Sequence, residues 1–455
     1  MSEPTNHSRR DFLKTTAAAT AAAAVANSFV ARSAYAAGDE TIKIALIGCG
    51  GRGSAAALQA LSTKGPVKLI AVADAFADNA HGAVGNLKNQ VPDRVDVPED
   101  RIFHGFDAYK QAIDSGADLI VIATPPGFRP IHFEYAVKQG KHVFAEKPVA
   151  TDAGGIRQFL AAAEEAKSKN LKVGIGLQRH HQARYIETIK RIHDGALGDM
   201  RLLRVYWNGD SPWVRPRQHG QTEMEYQMRN WYYFVWLCGD HINEQHIHNL
   251  DVANWIMKGH PVEAQGQGGR QVRTGKENGE IYDHHMIEYT YADGTKMISQ
   301  CRHMPNCKND VSEHATGTKA YCNVGDGSIQ ALGNNGGENW QFAHKGGEAN
   351  PYQVEHDDLF DAIRNNKPYN EAEYGATSTM TALLGRMCTY SGQVIKWNDA
   401  INAKESVMPK AYSFDAAPPT LPDADGRYSI AMPGVAGDDV VWKRVNKEIM
   451  KWNRR

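Results

Sequence analysis

The chain has 455 residues, 51 Lys+Arg against 52 Asp+Glu, and a formal net charge of −1. With 42% hydrophobic and 23% charged residues, disorder, a collagen-like fibre and a disulfide-stapled miniprotein are excluded. Length alone predicts two or three domains at about 150 residues each, and so neutral a balance gives no electrostatic footprint for nucleic acid.

The chain begins with an address. Ser8-Arg9-Arg10-Asp11-Phe12-Leu13-Lys14 is a twin-arginine signature, followed by an alanine-rich run and by Ala34-Tyr35-Ala36, a small-x-small cleavage pattern. The run is shorter than the roughly 20 residues of a bilayer helix, so residues 1–36 are expected to be a removable signal peptide rather than an anchor. Its removal takes four basic and two acidic residues and leaves 47 against 50, a net charge of −3. No other stretch is apolar enough to span a membrane, so the mature protein is expected to be soluble, without a stable membrane anchor, and periplasmic or secreted. The expected first partner is the twin-arginine export machinery, which moves folded proteins out of a reducing cytoplasm. Free, buried thiols are therefore expected among the six cysteines, although Cys301 and Cys307 could pair.

After the leader, Ile42–Ile47 is a short apolar run of the kind that forms a buried parallel strand. It runs into Gly48-Cys49-Gly50-Gly51-Arg52-Gly53 and then a helix start at Ser54; a second strand-like run ends in Asp74, 21 residues past Gly53. This is the context a dinucleotide-binding loop requires. Gly48 permits the tight turn, Gly50 lets backbone approach the pyrophosphate, and Gly53 lets helix and strand pack closely. Amides at the helix start would face the phosphates. Asp74 would accept from both ribose hydroxyls and repel a 2′-phosphate, favouring NAD over NADP. Further strand runs at 118–123, 142–145 and 172–177, separated by helix-like segments, predict an α/β doubly wound Rossmann domain over residues 41–178.

Two strand ends carry Thr124-Pro125-Pro126, with His132 following, and Glu146-Lys147-Pro148. With the glycine loop and the Gly140–Val143 run, these resemble the Gfo/Idh/MocA oxidoreductases, and matching segments at Gln178-Arg179, His248–Asp251 and Pro351–His356 extend the resemblance over roughly residues 41–398. It implies cofactor contacts from Gly48, Gly50, Gly51, Arg52, Gly53, Asp74, Thr124, Pro125, Pro126, His132, Glu146 and Lys147. It also implies a second, α+β domain over residues 179–395 with an open, mostly antiparallel sheet, carrying the substrate site and a homo-oligomer interface. Runs at Met200–Tyr206, His284–Tyr291 and Lys296–Gln300 read as its strands, with Ala292-Asp293-Gly294 as a hairpin turn.

The resemblance further implies a lysine from Glu-Lys-Pro working with an acid and a histidine four residues apart. Lys147 and His248 match; the acid is Glu244 where the family has Asp, and the spacing predicts Glu244 and His248 on one helical face. Oxidising an alcohol needs a base for the hydroxyl proton and a cation to polarise the oxygen, so His248 is expected as base, Lys147 as electrophile, and Glu244 as orienting group or alternative base. His246 stands where a small residue is usual and is expected to make the pocket narrower or more polar. His241, Glu244, His248 and His284-His285 fit neither HExxH nor a Cys/His zinc spacing, and no metal is expected. The aromatic stretch Tyr206–Trp236, with Arg215, Arg217, Arg229 and Asn230, suits either sugar faces or a core.

No free nicotinamide pool is expected outside the cytoplasm, so such an enzyme would bind NAD before export and keep it. The leading expectation is an exported oxidoreductase of a sugar, polyol or glycoside hydroxyl. A glycoside hydrolase or lyase acting by transient oxidation and elimination is the second reading, and a non-catalytic sugar-binding relative the third. Residues 396–455 form a C-terminal extension beyond the resemblance, with a helix-like basic end.

Overall fold

Strands of the first sheet, apart from a short half-exposed edge strand, are short apolar runs buried on both faces, which are stable only between two layers of helix. In the computed structural model, which describes residues 41–334, 336–343 and 346–453, they are β1 (Ile42–Ile47), β2 (Val67–Asp74), β3 (Ile102–His104), β4 (Leu119–Ile122), β5 (His142–Ala145) and β6 (Val173–Ile175). All pairings are parallel, in the order β3-β2-β1-β4-β5-β6. The chain moves outward from β1 to one side and then returns to its other side at β4. Loops after β1 and β4 diverge there and open a crevice at the carboxyl ends of the strands. β3 escaped the sequence pattern because three residues at a sheet edge carry almost no periodic signal. The twin-arginine segment and its cleavage site lie outside the described residues.

The second sheet is open and mixed, with β7 (Met200–Gly209), β8 (Glu263–Gly269), β9 (His284–Thr290), β10 (Lys296–His303), β11 (Asp310–Gly317), β12 (Ala320–Asn323), β13 (Ser328–Ala331), β14 (Trp340–Gln341) and β15 (Ile395–Lys396). Its order is β14-β13-β12-β11-β7-β10-β9-β8-β15, antiparallel except between β7 and β10. Alternation sets its faces: along β10, Met297, Ser299, Cys301 and His303 are buried while the residues between them are half-exposed. The β9–β10 hairpin turns at the expected Ala292-Asp293-Gly294, where Gly294 takes φ +87°.

One long helix binds the two sheets together. Ala372–Ser391 is buried nearly throughout and lies between helix Ala153–Ser168 and the inner face of β8 and β9. Just before it, the chain returns to the first sheet: the Val173 N–H donates to the Tyr369 carbonyl and the Glu371 N–H to the Val173 carbonyl. His181 pins this return, with Nδ1 2.7 Å from Asp358 and Nε2 3.0 Å from Glu371. The C-terminal extension then runs over the junction, burying Val407, Tyr428, Ala431 and Trp442 in an aromatic cluster with Trp236 and Tyr282. It ends in helix Val441–Trp452. All six cysteines are free; Cys307 alone is exposed.

Candidate active site

The glycine loop joins β1 to helix Gly51–Leu61, and each glycine in it has a geometric reason. Gly48 takes φ +93°, and a Cβ there would lie 2.5 Å from the Ala123 and Thr124 backbone. A Cβ on Gly53 would fall 1.8 Å from the Gly48 carbonyl oxygen, so only glycine lets the helix seat on the strand. Gly50 and Gly51 have nothing within 4 Å of that position: they face open space. The helix start carries no side-chain cap, leaving its first amides free. Bare backbone around uncapped amides, beside a carboxylate, is a cradle that fits a pyrophosphate and ribose.

That carboxylate is Asp74 at the end of β2. One oxygen accepts from the Cys49 N–H at 2.7 Å, the other from the Phe76 N–H at 2.9 Å and Asn79 Nδ2 at 3.2 Å. Burial raises its pKa, and these hydrogen bonds oppose that rise. Beyond β4, Pro125 leads into the turn Pro126–Phe128, and Thr124 Oγ1 lies 3.2 Å from His132 Nδ1. His132 is buried, and desolvation aided by Arg129 lowers its pKa to about 3, so the ring is neutral. Arg52 turns away from a free role: its guanidinium meets Glu146 at 2.5 Å and Glu355 at 3.2 Å and lies over the Tyr352 ring. Gly176 exists for Glu146, since a Cβ there would sit 2.7 Å from its carboxylate.

Lys147, Glu244 and His248 come together in one cleft of about 930 Å³ that also contains Gly50, Gly51 and Asp74. Lys147 Nζ donates to the Glu244 carbonyl at 2.5 Å and to its carboxylate Oε1 at 3.2 Å. Glu244 Oε2 and His248 Nδ1 are buried without hydrogen-bond partners. Desolvation, reinforced by the charges of Lys147, Arg179 and Arg52, holds His248 well below the usual histidine range, so its imidazole is neutral. Trp207 stacks against it at 5.9 Å.

The expected single helical face through Glu244 and His248 is not what forms. Helix His241–Glu244 ends at Gln245, and a second helix, Ile247–Met257, starts afresh. The His246 N–H reaches back five residues to the His241 carbonyl and the His248 N–H only three, to Gln245, so the regular ladder is broken. Glu244 consequently meets Lys147 rather than His248. His246 does not narrow the pocket either: its Nε2 bonds Ser299 Oγ at 2.8 Å beneath the second sheet.

The aromatic stretch divides in two. Trp207, Trp213, Trp231 and Tyr232 line the cleft, while Tyr226, Tyr233, Phe234 and Trp236 are core. Arg215 and Arg229 line it as well; Arg217 pairs instead with Glu223, and Asn230 is buried between Arg215 and Glu277 backbone. Sequence reasoning left Arg179 and Tyr352 without a site role. Arg179 is buried against Glu313, and its signal was a charged side chain just past β6, where a crevice opens. His241 lies away from the cleft, in a sealed group with Asp240 and His285 whose ligand atoms lie within 4.8 Å of one another. Both Asp240 oxygens already accept protein hydrogen bonds, from the His241 N–H and ring on one side and from the Tyr282 N–H and Tyr390 hydroxyl on the other.

Known proteins share this architecture. The family model for oxidoreductases with an NAD-binding Rossmann fold, GFO_IDH_MocA, matches residues 42–175; the GFO/IDH/MocA C-terminal domain matches 185–322, and the twin-arginine translocation signal matches 6–26. An inositol 2-dehydrogenase of Ralstonia nicotianae is 30% identical over 243 residues, 51% of this chain and 59% of its own length. The chain thus spans less than two thirds of that relative. Among solved structures, the aldose-aldose oxidoreductase of Caulobacter crescentus, complexed with glycerol, superposes with TM-score 0.60 at 19% identity, covering 78% of this chain and 99% of that one. A levoglucosan dehydrogenase in complex with NADH and levoglucosan gives 0.61 at 14% identity, covering 78% and 99%. The paired sheets, the glycine cradle and the two contiguous domain matches together establish that the chain belongs to the Gfo/Idh/MocA oxidoreductase family and carries a twin-arginine signal sequence.

Proposed function

We propose that the protein is an exported oxidoreductase that moves a hydride between a tightly held NAD(H) and a hydroxyl of a sugar, polyol or glycoside. The observation that carries this reading is the convergence of Lys147, Glu244 and His248 on the cleft that contains the glycine cradle. Gly50, Gly51 and the free helix amides would hold the pyrophosphate, Asp74 the ribose, and Thr124 to Pro126 the inner end. When bound, the nicotinamide supplies the hydride acceptor. Lys147, its ammonium fixed by both oxygen groups of Glu244, points a full positive charge at the substrate oxygen and stabilises the negative charge that develops there. His248, which lines the cleft with a neutral imidazole, takes the hydroxyl proton at a ring nitrogen. Glu244 is a positioning residue for Lys147.

The named activities of the relatives act on polyols and sugars, which supports the substrate class. A twin-arginine signal supports loading before export. The redox cycle then closes on the protein, through a second carbonyl substrate that restores the oxidised cofactor. To test this, the exported protein is purified, its bound nucleotide quantified, and a panel of sugars and glycosides supplied without added cofactor. Reduction of bound NAD with one equivalent of carbonyl product is the expected result. Release of monosaccharide without net redox change would overturn it in favour of elimination chemistry.

A further inference from the structure

The cleft is bridged beside Asp74. Arg229 closes helix Glu223–Arg229 of the second-sheet region, and its guanidinium forms a bidentate pair with Asp78 at 2.8 and 2.9 Å, just past β2. The same guanidinium lies 3.6 Å over the Phe76 ring. Asp78 and Phe76 belong to the segment that folds back on Asp74: the Phe76 N–H and the Asn79 amide both donate to its carboxylate. One contact therefore joins the two halves of the molecule across the groove beside the ribose-binding carboxylate. The Arg229 hydrogen bonds, aided by its charge, hold the Asp78 carboxyl below its usual range.

The C-terminal extension backs the same wall. Phe414 packs on Phe76 at 5.5 Å and on Phe106 at 5.0 Å, and Tyr412 on Phe106 at 6.4 Å and Phe128 at 5.8 Å. Phe76, Phe106 and Phe128 stand after β2, β3 and β4, so one short stretch of tail holds three separate loops of the nucleotide site in place. Phe76, Phe106 and Phe128 face the cleft; Tyr412 and Phe414 stand behind them.

We infer that Arg229, clamped on Asp78 and Phe76 and backed by Tyr412 and Phe414, is a latch over the adenosine half of a bound dinucleotide that slows its release. The inference rests on the proposed function, since it needs a cleft that binds NAD(H). It also gives the extension a role. An enzyme working where no free cofactor circulates must lose its own only slowly, and a bridge across the groove lowers the escape rate without touching the reacting carbon.

The test uses the mature full-length protein loaded with NADH, with release followed by nucleotide fluorescence after dilution into excess NAD as trap. Loss of an exposed bidentate pair and a cation–π contact predicts about tenfold faster release for Arg229→Ala. Arg229→Lys, which keeps the charge but not the planar fork, should fall between, and guards against misfolding of the alanine variant. The double exchange Asp78→Arg with Arg229→Asp should restore part of the retention. Phe414→Ala should also speed release, with the catalytic residues untouched. Unchanged release in both Arg229 variants would overturn the latch while leaving nucleotide binding intact; unchanged release in Phe414→Ala would remove the tail from it. Wild-type protein that binds no nucleotide would be a different result, sinking the proposed function and the latch together.

Discussion

Substituting Gly53 by alanine separates what the glycine loop does for the fold from what it does for the ligand. The added Cβ would lie 1.8 Å from the Gly48 carbonyl oxygen, and real Cβ contacts do not fall below 3.0 Å, so helix Gly51–Leu61 must move at least 1.2 Å off the strand. The obstacle is backbone and cannot swing aside. Alanine would favour the helix by up to about 1 kcal/mol, but overpacking against a fixed atom costs about 1–3 kcal/mol or more. The net is a loss of about 1–2 kcal/mol, or roughly 1–3 °C in Tm for a chain of this size. Gly50→Ala is the counterpart: with nothing within 4 Å and φ at −72°, it adds a methyl only to the open groove. Melting curves are compared after nucleotide removal, because ligand loss alone lowers Tm, and bound nucleotide is measured separately. Gly53→Ala should fall in both assays; Gly50→Ala should keep its Tm and lose nucleotide. A Gly53→Ala protein with wild-type Tm and full occupancy, or a Gly50→Ala protein destabilised but fully loaded, would refute this account of the loop.

Lys147→Ala and His248→Ala should each slow single-turnover reduction of bound NAD by at least about a hundredfold while occupancy stays unchanged; near-normal turnover in either removes that residue from the chemistry. Because His248 is held below its ordinary range, kcat/KM should stay level as pH falls through 6.5 and decline only at lower pH, where the imidazole takes its proton; a limb at 6.5 that vanishes in His248→Gln would contradict this. Burial alone would lower the pKa of His181, but its hydrogen bonds to Asp358 and Glu371 dominate and raise it to about 10. A raised folded-state pKa stabilises fully below pH 6.5 and progressively less as pH rises to about 10, so the stability gap between wild type and His181→Gln should shrink by about 5 kcal/mol across that window in urea titrations. A gap that does not vary with pH would mean the proton is not shared as described. Neutral aldoses and polyols should turn over better than the matching uronates, and a preference for uronates would count against the charge balance of the cleft.

The first half of the molecule is legible because local chemistry and global position coincide there: strand, glycine loop, helix and Asp74 are read within about 30 residues of one another. The second half is harder, since its sheet joins strands far apart in sequence and its loops decide the site. Glu244 and His248 were readable as residues but not as geometry, because the break in the ladder at Gln245–His246 has no Gly or Pro to mark it, and the Ser299 that His246 bonds lies on another element. Arg229 suited a sugar equally well by residue type; only the fold sets it against Asp78. The extension was opaque for a similar reason. Tyr412 and Phe414 are two aromatic residues in an irregular segment, and without the three loops they touch they have no periodicity to betray them.

Charge pairing inside the cleft bears on what enters it. Arg52 is committed to Glu146 and Glu355, Lys147 to Glu244, Arg179 to Glu313 and Arg229 to Asp78. Arg129 is buried and donates to the Pro148 carbonyl, and burial lowers its pKa to about 10. Arg215 lies over Trp213 at the exposed rim. Away from that rim, beside Lys147, an anionic substrate would have to draw a cation out of one of the buried pairs, and breaking a buried pair costs about 3–5 kcal/mol. A neutral polyhydroxyl molecule asks for no such exchange. Its ring faces can lie on Trp207, Trp213 and Trp231, and its hydroxyls can bond to the polar groups of Lys147 and His248 on the cleft wall.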